Sequence, residues 1–220
     1  QLTSCTPARG IPHQTGWCYS CNGSMAHYAF DYAVKAGGVA EEWLYPFTSY
    51  DGAMPQCLAP TLLNKSYDKV AKISGYHLVD INDEDATVQA LNELGPLAIE
   101  VWAFPWISYE AGVFSHCDYK ASHRFNQTEQ WELDHAVVLA GYGYDEAAKA
   151  SYWVVRNSWA ASWGEHGYIR VLRAAEAPCG WQYGGTGCFP SNATGHKSWS
   201  CGCSGVLAYP TFPIADVSSP

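Results

Sequence analysis

The chain has 220 residues, of which 48% are hydrophobic and only 15% charged, the composition of a packed globule with extended loops and not of a disordered or coiled protein. Lysine and arginine total 12 against 21 acids, a formal charge of −9, and no basic stripe is present to hold nucleic acid or an anionic membrane. That balance suits a protein that stays soluble at about pH 5, where some carboxylates are protonated.

In chain order, residues 25–34 (MAHYAFDYAV) carry apolar side chains at helical spacing and run into Gly37-Gly38, a usual helix stop. A loop rich in Tyr, Pro and Gly follows through Cys57, and residues 70–81 read as extended. Asp83-Glu84-Asp85 supplies negative charge at the start of a short helix that ends near Leu94-Gly95-Pro96. Beyond Pro96 the apolar runs 97–102, 135–141, 152–156 and 168–172, separated by Gly-rich turns, predict strands of a small barrel or sandwich. Segments 115–131 and 180–200 are polar and aperiodic and read as surface loops. A helical first part and a β second part is α+β organisation, with a boundary near 78–95 and room for a cleft between the parts. No apolar run reaches membrane-spanning length.

Nine cysteines point to an oxidising compartment. The sequons at Asn64, Asn126 and Asn192 agree with secretory passage and predict glycosylation there; Asn22-Gly23-Ser24 also fits the pattern. No signal-like apolar segment opens the chain, so Gln1 reads as a processed end. A lysosomal or vacuolar compartment, or secretion, is the expected localisation.

Two stretches carry chemistry. "LDHAVVLAGYGYD" puts His135 at the start of an apolar strand, and "YWVVRNSWAASWGEHGYIRV" puts Asn157 at the end of another, followed by Trp159 and Trp163. Either residue alone fits an ordinary structural role, a core histidine bonded to backbone or an asparagine in a turn. On adjacent strand ends the pair can form a side-chain hydrogen bond that fixes the imidazole tautomer, and a nearby thiol could then lose its proton to the ring.

These stretches, with "SCNGSMAHYAFDYAVKAGGVAEEWLYPF" and "CGCSGVLAYPTF", closely resemble the papain-like cysteine peptidases of cathepsin L type, from Gln1 nearly to the C-terminus. The resemblance implies a papain-like α+β fold: a helical left part over 1–80, a β-barrel-like right part over 81–207, an active-site cleft between them and a tail over 208–220. It implies His135 as general base and acid, oriented by Asn157, a constellation long recognised among convergent triads. Trp159 would shield their bond from water, and Trp163 would line the leaving-group side. Gly23 and Ser24 would offer backbone bonds to an extended substrate, and Asp134 would also lie among the substrate-binding residues. Met25, Ala26, Leu133 and Ala136, with Val206 at the floor, would form an apolar pocket for the second residue before the scissile bond, favouring Leu, Val or Phe. Glu100 aligns beside that pocket where the family usually has a small apolar residue; its charge would admit Arg or point to solvent. The family also usually has Gly at the positions of Ser24 and Ala160. No metal and no cofactor is implied.

Cys18 and Cys21 in "WCYSCNG" imitate the family's nucleophile segment. Gln14 lies one residue too far upstream, however, no aromatic comes after Cys21, and the residues beyond it match the later Cys-Asn-Gly-Gly motif, so Cys21 reads as a staple. No other cysteine has a suitable context. By resemblance about fifty residues of the mature domain, with the nucleophile and its oxyanion glutamine, precede Gln1.

Cys5 would pair with Cys57, and Cys117 with either Cys179 or Cys201, leaving the bonds among Cys18, the other of that pair, Cys188 and Cys203 unassigned. Cys21 would bond to a cysteine of a short N-terminal chain carrying the nucleophile. The expected function is therefore a two-chain cysteine endopeptidase acting on peptides or proteins through a thioester. The competing expectation is a catalytically inactive papain-like binding or scaffold glycoprotein; an inhibitory or storage role has no positive feature in its favour.

Overall fold

A computed structural model describes residues 1–6, 20–59, 71–117, 130–131, 133–183 and 197–216. In chain order the elements are α1 (Leu2–Cys5), α2 (Ala26–Ala36), β1 (Ile73–Leu78), α3 (Glu84–Leu94), β2 (Leu97–Val101), β3 (Val113–Phe114), β4 (Gln130–Trp131), β5 (His135–Asp145), β6 (Ala150–Arg156), β7 (Tyr168–Leu172), β8 (Cys179–Tyr183), β9 (Lys197–Cys201) and β10 (Thr211–Ala215). The described residues divide into two compact units, one holding 1–6, 20–59, 71–77 and 213–216, the other 78–117, 130–131, 133–183 and 197–212.

In the first unit α2 stops where the sequence predicts. Gly37 takes the left-handed φ of +72°, and the Gly38 N–H donates to the Ala33 carbonyl at 2.8 Å, closing the helix end. Gln1 ties the N-terminus down: its amide donates to the Tyr32 hydroxyl at 2.9 Å and accepts from the Ala40 N–H at 2.7 Å. The Cys5–Cys57 disulfide, expected from the resemblance, packs with Tyr45 in a small core that has few other large side chains. Here also the Ser74 hydroxyl donates to the Ile214 carbonyl of β10, and the Asp216 N–H, just past that strand, donates to the Lys72 carbonyl.

The second unit is built on a sheet in the order β10-β2-β5-β6-β7-β3, antiparallel except for the parallel pair of β3 and β7. Alternation sets one face inward: Leu97, Ile99 and Val101, then Val137 and Leu139, Trp153 and Val155, Ile169 and Val171 are all buried in one cluster. Val88, Ala90 and Leu91 of α3 pack into the same cluster. Asp83 caps α3, accepting from the Ala86 N–H at 2.8 Å, and Glu84 and Asp85 complement the helix dipole as the sequence predicts. Each of these large apolar side chains contributes about 1.5–3 kcal/mol through burial.

The structure departs from the sequence expectation in three places. β5 runs on to Asp145, past Gly141, with a register shift between Leu139 and Gly141. A Cβ at Gly143 would lie 2.7 Å from the Tyr152 hydroxyl, so a larger residue there would have to displace the end of that side chain. Within the stretches read as loops, β4, β8 and β9 form a separate three-stranded sheet. The hairpin of β8 and β9 rests on cross-strand pairs and not on periodicity: Cys179 opposes Cys201, and Trp181 opposes Trp199 with ring centroids 5.0 Å apart. The expected partner of Cys117 is corrected as well. Cys179 and Cys201 are directly opposite in that hairpin and bond each other, and the turn Cys203–Gly205 brings Cys203 to Cys117.

The loop 157–167 between β6 and β7 is clamped by charge. The Arg170 guanidinium donates to both Glu165 oxygens, with Nη2 to Oε1 at 2.8 Å, and also reaches Asp145. Glu165 additionally accepts from the Gly112 N–H at 2.9 Å, so its carboxyl is held below its ordinary value of 4.5, chiefly by Arg170. A carboxyl depressed in the folded state stabilises the fold above its unfolded pKa, and that contribution is lost as pH falls through the folded value. Glu165→Gln should therefore cost about 1 kcal/mol at neutral pH, as for a partly exposed bidentate pair. By urea unfolding, the gap to the wild type should narrow as pH falls below the ordinary value of Glu165; an unchanged gap would show that Glu165 does not titrate against this clamp.

Candidate active site

His135 opens β5 opposite Val101 of β2, and Asn157 is the first residue past β6. Both have the strand parity of the core-facing residues, so their side chains emerge where the core layer ends. The Asn157 backbone is anchored by its N–H to the Gly167 carbonyl at 2.9 Å. The two side chains meet, His135 Nε2 lying 2.8 Å from Asn157 Oδ1. The Ser158 N–H donates to the same Oδ1 at 2.7 Å. That second donor fixes which end of the amide is the oxygen, so His135 Nε2 must carry the hydrogen and Nδ1 is left with its lone pair. An imidazole held this way can accept a proton at Nδ1.

Trp159 stacks on the His135 ring at 5.2 Å and 29°, and Trp163 meets Trp159 edge-on at 5.1 Å. Tyr109 backs Trp163 at 5.7 Å and is itself fixed by donating to the Gly112 carbonyl at 2.6 Å. The loop carrying the tryptophans needs unusual backbone: Ala160 sits at φ +72°, which costs a non-glycine residue about 1–2 kcal/mol. At Gly164, φ +55°, a Cβ would lie 2.6 Å from the Tyr168 carbonyl oxygen. The aromatic layer covers one side of the imidazole with apolar surface. Asn157 Nδ2 and Trp163 Nε1 are buried without an acceptor among the described residues.

Asp134, just before the histidine, accepts from the Ala103 N–H at 2.8 Å and donates its own N–H to the Val101 carbonyl at 3.0 Å. Desolvation pushes its carboxyl above the ordinary range, while the Ala103 N–H and His135 act against the shift. Leu133 is buried, Ala136 exposed, and Val206 wholly enclosed in the core cluster. Glu100 lies directly opposite Ala136. In the other unit, Gly23 takes φ +95°, the Ser24 hydroxyl is buried without a partner among the described residues, Met25 is the buried N-cap of α2, and Ala26 is that helix's first residue. Cys21, in the turn Ser20–Asn22, is the one cysteine outside a disulfide among the described residues. Its thiol is exposed and donates to the Ala53 carbonyl at 3.4 Å. Gln14, Cys18, Cys188, Asn64, Asn126 and Asn192 lie outside the described residues.

Sequence reasoning missed Tyr109, Glu165 and Arg170 as supports of this site. Glu165 and Arg170 stand inside the asparagine motif, but their pairing follows a tight turn and not a repeat, and nothing around Tyr109 marks it.

The sequence profile described as papain family cysteine protease matches residues 1–186. A probable cysteine protease of Arabidopsis thaliana, RD21B, is 36% identical over 181 residues, which is 81% of this chain and 35% of that protein. Cysteine proteinase 15A of Pisum sativum is 34% identical over 77% of this chain and 43% of its own length. This chain thus spans less than half the length of these curated relatives. Among solved structures, the bromelain protease from Ananas comosus in complex with the E64 inhibitor superposes with a TM-score of 0.65 at 26% identity, over 98% of this chain and 76% of that one. With the profile covering most of its length, the chain belongs to the papain family of cysteine proteases.

Proposed function

We propose that this chain supplies the base and the orienting amide of a cysteine-type endopeptidase whose nucleophilic thiolate comes from a short N-terminal chain disulfide-linked through Cys21. The reading rests chiefly on the 2.8 Å contact of His135 Nε2 with an amide oxygen whose orientation is fixed by a backbone donor. Its relatives are named as cysteine proteases, and the exposed Cys21 thiol leaves a site for a bond to another chain. The disulfides of the described residues favour a lysosomal, vacuolar or secreted setting.

In this reading the incoming thiol gives its proton to His135 Nδ1, forming thiolate and imidazolium. The thiolate attacks the peptide carbonyl carbon and the carbonyl electrons move to oxygen. Collapse of that tetrahedral species breaks the C–N bond, and the Nδ1 proton goes to the departing amine, leaving a thioester and neutral imidazole. A water then yields its proton to Nδ1 and adds to the thioester carbon; the C–S bond breaks, releasing the acid and restoring the thiolate. Asn157 keeps Nδ1 aimed at the reacting atoms through both halves, and the Trp159 stack limits competing water on one side of the ring.

His135→Ala in the assembled protein should lower kcat by about 1000-fold or more with the fold intact by near-ultraviolet circular dichroism. Asn157→Ala should lower it roughly ten- to a hundredfold, since orientation is lost and the base remains. Full activity of the His135 variant would remove the catalytic assignment, and a folded protein with no peptidase activity would favour the scaffold.

The partner has its own test. Intact mass without reductant should exceed the 24.1 kDa of this chain by a peptide that reduction releases, whereas a glycan's added mass would survive reduction. Cys21 recovered as a free thiol from native protein would remove the linkage.

A further inference from the structure

The β8–β9 hairpin carries an aromatic surface that the chemistry above does not use. It is rooted at one end, where Cys179 bonds Cys201 and the neighbouring Gly180 and Ser200 are buried. Two residues further along each strand, on the face of the disulfide, Trp181 and Trp199 are each 46% exposed. They meet edge-on, with ring centroids 5.0 Å apart and planes at 70°. The outer edge of β9 is held by Asn82, whose amide donates to the Trp199 carbonyl at 2.7 Å and accepts from the Cys201 N–H at 2.7 Å. Those bonds set the turn that opens α3 against β9, and Asp80, Ile81, Asp83 and Asp85 of that segment are exposed. Residues 179–201 include Lys197 and no acid, so the negative charge beside the tryptophans comes from the turn. Trp199 also lies beyond residues 1–186, which the family profile matches, so the pair is no part of the pattern by which the family is recognised.

We infer that the Trp181–Trp199 pair and the acidic turn beside it dock a basic, arginine-bearing segment of a partner protein. A tryptophan pair already fixed by a disulfide and by Asn82 loses little conformational freedom on binding, and such rigid aromatic side chains dominate interface energetics. Tryptophan is also the best ring for a cation, and the exposed carboxylates of Asp80, Asp83 and Asp85 complement the same charge. Arginine suits the surface better than lysine, because its planar guanidinium stacks on a ring while offering parallel donors to a carboxylate. The chain holds one of its own arginines by this combination: the Arg173 guanidinium lies 5.1 Å from the Trp153 ring centroid and 5.2 Å from that of Tyr142. It also donates to Glu84, in the first turn of α3, at 2.6 Å. An uncharged ligand could stack on the exposed rings but would gain nothing from the charge of the acids. The formal charge of −9 further favours the approach of a basic segment.

The probes are short fluorescent peptides of alternating arginine and glycine, with lysine or citrulline replacing arginine in the controls. They are titrated by anisotropy into the assembled protein bearing His135→Ala, so that no probe is cleaved. The arginine peptide should bind about tenfold or more tighter than the citrulline one, and about threefold tighter than the lysine one. Trp181→Ala and Trp199→Ala should each weaken that binding by about tenfold. The double variant Asp80→Asn/Asp85→Asn should weaken it by about threefold or more. Should a tryptophan variant lose its fold by circular dichroism, the aspartate variant, which leaves the aromatic pair in place, decides alone. Equal affinity for arginine and citrulline, or arginine binding that the aspartate variant leaves unchanged, overturns the inference. So does a surface that takes an uncharged oligosaccharide or a second copy of the chain, lost in the tryptophan variants, with no preference for arginine. None of these outcomes bears on the peptidase reading.

Discussion

Asn157 Oδ1 accepts two hydrogen bonds, from the Ser158 backbone and from His135 Nε2, and the chemistry proposed for this chain depends on that double acceptance. With one bond, the amide could turn over and present its NH2 group, and the imidazole could take either tautomer. With both, the hydrogen is committed to Nε2 and the free lone pair to Nδ1. A neutral amide in this position orients the ring without adding a negative charge.

The rest of the second unit holds those two residues in register. Five residues of β2 pair with the start of β5, which fixes His135 at one strand end, and β6 delivers Asn157 at its neighbour's end. The core layer of Leu97, Ile99, Val101, Val137, Leu139 and Val155 beneath them is fully or nearly fully buried, so neither strand can slide without turning its apolar residues outward. The loop after Asn157 would otherwise be free to carry Trp159 away from the ring. Arg170, joined to Glu165 and Asp145, fixes its far end, and the left-handed Ala160 and close-packed Gly164 are tolerated because this clamp and the Tyr109–Trp163 contact over-determine the path.

Local features of this architecture were legible in the sequence. The Gly37-Gly38 stop of α2, the acidic start of α3 and the apolar runs that became β2, β5, β6 and β7 all act over a few residues, and the pattern writes them directly. His135 and Asn157 were legible as a pair because each stands at the edge of such a run. Features joining distant residues were not legible. The β8–β9 hairpin has its tryptophans 46% exposed and its cysteines opposed, so neither alternation nor burial announces it. Cys203 bonds Cys117 across 86 residues because a three-residue turn follows β9, and no local signal separates it from Cys201 two positions earlier. Glu100 was legible as a charge in an apolar strand, but only its burial says that the charge does not face water.

The most direct test of the central claim is the protonation of the two His135 ring nitrogens, read by long-range nitrogen–proton correlation NMR on uniformly labelled protein. His135→Gln would assign its signals among the eight histidines. The account predicts that neutral His135 carries its hydrogen on Nε2, with Nδ1 unprotonated, and that Asn157→Ala releases this fixed state into a mixture of tautomers. A neutral ring with its hydrogen on Nδ1 would contradict it, because that nitrogen could not accept the proton of a thiol.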